Sequence, residues 1–62
     1  MNSKVFKING EDVIVNIDNI VYVQTDPNVG KNVIYCTTHF FTVDDTMDNI
    51  KEKLGIIKPK HD

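Results

Sequence analysis

Apolar and polar residues alternate with a period of two through most of the chain, and the rhythm changes only in the last third. That period marks strands, because successive side chains on a strand leave by opposite faces. The run KVFKI (4–8) alternates and ends at Asn9-Gly10, a strong short hairpin signal. The β-branched run DVIVNI (12–17) is expected to pair back on it. Asp18 and Asn19 mark a bend before a third strand, IVYVQT (20–25). DPNVGK reads as a loop, where Pro27 fixes φ and Asn28 and Gly30 accept left-handed geometry. NVIYCT (32–37) and FFTV (40–43) follow as strands joined by a tight turn near Thr38 and His39.

The stretch VDDTMDNIKEKLG changes to helical spacing. Met47, Ile50 and Leu54 fall at i, i+3 and i+7 and form one narrow apolar face over a helix at about 45–54. Asp44 or Asp45 is placed to cap it, and Asp48 stands in its first turn near the positive end of the helix dipole. Lys51 and Lys53 lie in the last turn, and Gly55 is placed as the left-handed residue that ends a helix, with Ile56 poised to touch it. Pro59 makes an extended tail the expectation for 56–62.

The strands carry more apolar surface than that helix can cover. Ile20 and Tyr22 are expected on one face of their strand and Val21 and Val23 on the other. Val13 and Val15 oppose Ile14, Val33 and Tyr35 oppose Ile34 and Cys36, and Phe40 and Phe41 split between the faces. The pattern predicts a β-rich α+β fold. In it a strongly bent antiparallel sheet, or a small barrel, of about five strands carries one C-terminal helix in a single domain over 1–62. A large apolar patch on a soluble monomer is uncommon, so a homo-oligomer is expected to cover the remainder.

Length sharpens that expectation. A chain of 62 residues buries only about 60 % of its unfolded surface, and small chains compensate with disulfides, metals or association. Cys36 is the only cysteine, so no intramolecular disulfide forms, and cytoplasmic residence is the plain reading. With His39 and His61 it does not make a four-ligand zinc site; neither metal nor cofactor is expected. The net charge is −2, from seven lysines and nine acids with no arginine. The absence of arginine's bidentate fork argues against DNA. No apolar run approaches the ~20 residues that span a bilayer, and MNSKVFKING has no signal-peptide core.

No pattern points to catalysis. Gly30-Lys31 resembles the end of a phosphate-binding loop, but that motif needs glycine where Thr25 stands and Ser or Thr where Asn32 stands. Cys36 and His39 are half a metal site with no second half. Asp44 and Asp45 are better used at a helix start than as paired catalytic acids, and no base is placed beside Ser3. A non-enzymatic protein is the expectation. For a small anionic ligand at a subunit boundary the candidates are Lys31, Lys58 and Lys60 for charge, Tyr22 and Tyr35 for stacking, and Thr37 and Thr38 for hydroxyl contacts. Symmetry would multiply each lysine around an axis.

INGEDVIVN, DNIVYVQTDP, VIYCTTHFFTV and DDTMDNIKEKL, in that order, resemble the small FlbD-type family of flagellar accessory proteins and similar short proteins of phage genomes. The resemblance covers nearly all of the chain and implies a non-enzymatic role through protein association. A phage-type oligomer that sequesters nucleotide messengers is the alternative function. VNIDNIVYVQ and FFTVDDTMDNIKEKL are also similar to the first half of LytTR-type domains. The basic DNA-contacting segments of those domains have no counterpart here, so DNA binding carries over to no residue.

Overall fold

A computed structural model describes residues 2–58. Five strands are followed by one helix: β1 (Ser3–Ile8), β2 (Glu11–Asn16), β3 (Ile20–Asp26), β4 (Lys31–Cys36), β5 (Phe40–Val43) and α1 (Met47–Lys53). The fold is a small strand-rich α+β domain, as the alternation predicts. The strands form neither one continuous sheet nor a barrel. β1 and β2 make a two-stranded sheet, and β3, β4 and β5 make a three-stranded antiparallel sheet. The expected tail lies outside the described residues from 59 onward.

The turns follow their local chemistry. Asn9 and Gly10 have φ of 51° and 80°, the left-handed pair that a two-residue hairpin turn requires, and Ile8 faces Glu11 across it. Between β2 and β3 the bend at Asp18-Asn19 is one 3₁₀ turn, Ile17–Asn19, where the Asn16 side chain accepts from the Asp18 N–H.

β3 departs from regular alternation. Ile20 faces Cys36 and Tyr22 faces Tyr35, so Val21 is one residue too many and forms a bulge. The bulge reverses the phase of the strand. Ile20 and Val23 therefore both pack on the core, while Val21 and Tyr22 are exposed. The expectation that Ile20 and Tyr22 share a face fails for this reason.

The core joins all parts of the chain. Phe6 of β1, Ile34 of β4, Val43 of β5 and Ile50 of α1 are buried together, with Val15, Ile20, Val23, Phe41 and Leu54 packed around them. A seven-residue helix is too short to persist alone, so its stability comes from burying Ile50. Its start also differs from the expectation. Thr46 is the cap, its hydroxyl accepting from the Asn49 N–H at 3.1 Å, and the two aspartates before it are engaged elsewhere. Its end is as expected. Gly55 has φ of 77°, and its N–H donates to Glu52 O at 3.0 Å while that of Ile56 donates to Lys51 O at 2.9 Å. The Ile56 side chain stays exposed.

Asp44 and Asp45 join the two sheets. The Asp44 N–H donates to Lys7 O at 2.7 Å, and the Lys7 N–H donates to Asp45 Oδ1 at 2.8 Å. Asp44 also accepts from the Gly10 N–H at 2.9 Å and from Lys31 Nζ at 2.8 Å. The Asp45 side chain is only 1 % exposed. Its Oδ2 accepts from Asn49 Nδ2 at 2.9 Å and Lys53 Nζ at 2.6 Å, and its carbonyl accepts from Asn32 Nδ2 at 3.0 Å. Lys53 also donates to Val5 O and lies 4.8 Å over the Phe6 ring. Burial pushes the Asp45 carboxyl up, but the Lys53 ammonium and the Lys7 N–H outweigh it and hold the carboxyl below its ordinary range.

Two predictions follow from this packing. Ile50→Ala is expected to destabilise the domain by about 2–5 kcal/mol, read as a fall in the chemical-denaturation midpoint. Asp45→Ala leaves Lys53 without its buried partner and is expected to cost about 3 kcal/mol or more. Because the folded Asp45 pKa lies below the unfolded value of about 3.9, its contribution is complete above that pH. It is lost as pH falls through the folded pKa. Asp45→Asn should therefore flatten the acid limb of thermal stability below about pH 4, and an unchanged limb would exclude this role.

Candidate functional site

The outer face of the three-stranded sheet carries the chain's most organised exposed surface. The register sets Tyr22 opposite Tyr35 and Tyr35 opposite Phe40, which lines three rings in a row across three strands. The Tyr22 and Tyr35 rings stack at 4.3 Å with 14° between their planes, and Tyr35 and Phe40 lie 5.6 Å apart at 32°. Such pairs contribute about 0.5–1.5 kcal/mol beyond their area, so the row is a preformed platform. Tyr22 is 51 % exposed and Phe40 65 %; the half-buried Tyr35 holds them in register.

The row depends on the bulge. Were Val21 paired in regular alternation instead of bulged, Tyr22 would stand on the same face as Ile20, which packs on the core. Val33, itself buried, lies on the same face of β4 next to the row, flanked by Gln24 and Thr42. A hollow of about 190 Å³ beside it is lined by Gln24, Thr25, Asp26, Pro27, Val33 and Tyr35. Aromatic rings with polar tips suit a flat apolar group or a protein surface more than an anion.

The candidate ligand residues divide. Tyr22 and Tyr35 are in the row, and Thr37 and Thr38 lie in the turn just beyond the Tyr35–Phe40 pair. There the Thr38 hydroxyl is 3.0 Å from His39 Nδ1, and the Thr37 N–H donates to Asn19 O at 3.2 Å. Lys31 opens strand β4 and does not lie in the preceding loop, and its ammonium is paired with Asp44 at 2.8 Å. That pairing, followed by the Gly10 N–H, holds the Asp44 carboxyl below its ordinary range. Lys58 borders a hollow with Asp48 and Glu52, surroundings that disfavour an anion. Lys60 lies outside the described residues. Among the described residues, Lys31 and Lys58 are engaged with or beside acids and do not join the tyrosines.

Two further concavities were not visible in the sequence. A cleft of about 390 Å³ between the sheets is lined by Val13, Val15, Phe41, Cys36 and His39 among others. There Cys36 is half-buried, and the His39 ring stacks on Phe41 at 5.9 Å. No group of three or more metal-ligating side chains occurs among the described residues. An apolar groove of about 630 Å³ runs beneath β3, between Val21 and Tyr22 on one side and Met47, Leu54 and Ile56 on the other. Phe40, the most exposed ring of the row, was also missed as a site residue. Its signal was the Phe40-Phe41 doublet, which places one ring on each face of a strand. No described helix is long and apolar enough to cross a membrane. Compared with protein-family models, with curated proteins and with solved structures, the chain matches none.

Proposed function

We propose that this chain is a non-enzymatic binding module that works as a homo-oligomer and presents the Tyr22–Tyr35–Phe40 platform to a protein partner. The observation that carries this reading is the uncovered aromatic row: no described element packs over it, although Tyr22 and Phe40 are more than half exposed. Aromatic side chains are enriched at protein interfaces, where they supply large contact areas at low entropic cost. The core supports the oligomeric part. Its fully buried side chains are Phe6, Ile34, Val43 and Ile50, a small set for a domain of this length. Ile14, Val21, Val29 and Ile56 each leave more than 60 % of their surface exposed.

The resemblance to FlbD-type proteins points the same way, toward association and not chemistry. Sequestration of nucleotide messengers gains less support, because Lys31 is paired with Asp44 and Lys58 sits beside acids. A LytTR-like DNA-binding role gains none from a chain of net charge −2 without arginine.

Self-association makes the melting temperature rise with protein concentration. The expected result is that rise, together with a mass above that of one chain by light scattering at micromolar concentration. A monomer at every concentration, with a constant melting temperature, would exclude the oligomer. Phe40→Asp, at an exposed position, is expected to cost no more than about 1.5 kcal/mol, the worth of its ring pair with Tyr35, which separates a surface ring from a core residue. A larger loss would make Phe40 a structural residue and remove the platform's main support.

A further inference from the structure

The sheet edges of this molecule are not equivalent. The edge of β1 away from β2 is closed by Asp44 and Asp45 through the paired hydrogen bonds to Lys7, and β5 lies beside it. The edge of β2 carries Glu11 and Asp12, charges of the kind that blunt unwanted strand pairing. β3 is different. It is the outer strand of its sheet, and from Ile20 to Thr25 it holds no charge and no proline. A β-branched and aromatic edge of that composition is a template for another strand.

We infer that this edge is where two copies of the chain meet, β3 pairing antiparallel with the β3 of a second copy across a two-fold axis. The inference rests on the self-association proposed above and names its interface, leaving the aromatic row to the partner protein.

Register and charge select a second copy as the occupant. The bulge confines regular pairing to Tyr22 through Asp26, with Gln24 at the centre. Antiparallel self-pairing about Gln24 sets Tyr22 opposite Asp26 and Val23 opposite Thr25. The single charge of the strand then faces a tyrosine and not its own copy, so no like charges meet. A strand paired over Tyr22–Asp26 also meets the Tyr22–Val23 end of the groove between β3 and α1. Two-fold pairing uses both copies of the edge at once, which closes the assembly and leaves no β3 edge for fibre growth.

Amide hydrogen exchange read by NMR, on the full chain at concentrations spanning its association, tests the pairing. The amides of Tyr22 to Asp26 that point away from β4 are expected to exchange at least tenfold more slowly in the oligomer than in dilute solution. Gln24 is exposed on the outer face, so its replacement spares the core. Gln24→Lys sets two ammonium groups opposite each other on the axis and is expected to weaken association several-fold, and an equimolar mixture with Gln24→Glu is expected to restore it. An oligomer whose outward β3 amides exchange as fast as in dilute solution would overturn edge pairing while self-association stands. Unaltered association of Gln24→Lys would overturn the register about Gln24. A monomer under all conditions would overturn both this inference and the reading beneath it.

Discussion

The polar joint between the two sheets centres on a buried carboxylate. Asp45 receives a backbone N–H from β1, an amide and an ammonium from α1, and through its carbonyl the Asn32 side chain of β4. A charge out of water is tolerated only when such partners surround it. Here the partners of the charge come from β1 and α1, so it is satisfied only when those two elements are assembled on it. The apolar core supplies the driving force but little direction, since Phe6, Ile34, Val43 and Ile50 would tolerate many packings. The carboxylate specifies which one forms.

The bulge at Val21 plays the corresponding part for the surface. One extra residue keeps Ile20 and Val23 on the core while turning Tyr22 outward onto Tyr35. Core and platform are therefore consequences of the same local irregularity. Forcing Val21 into the ladder as a regular residue would shift Tyr22 opposite Ile34, exchange an interior side chain for a ring and disturb both together. This coupling links the proposed binding surface to the stability of the subunit.

Much of this was legible in the residues and some was not, for a physical reason. Asn9-Gly10, the alternating runs and the Gly55 stop are local, and each was read close to where it lies. The bulge is also local in position, but its cause is the competition between two faces of a sheet, which alternation alone does not encode. The aspartates were the clearest misreading. Asp44 and Asp45 have the chemistry of helix caps, and only the approach of Lys7 and Lys31 from distant strands gives them other partners, leaving Thr46 to cap the helix. Lys31 was read as a free loop cation for the same reason. The arrangement as two sheets was hidden too, because the Asp44–Lys7 bond that joins them lies outside both ladders.

The same bonds set the order of assembly in time. The β1–β2 hairpin closes over a two-residue turn and the β3–β4–β5 meander over short loops, so both are fast local events. The bonds from Lys7 and Gly10 to the two aspartates span 38 and 34 residues. Closing such loops carries an entropic cost before any contact repays it. Docking of hairpin on meander is thus the slow, committing step of folding, and a chain growing from its N-terminus cannot take that step until its last third has been made.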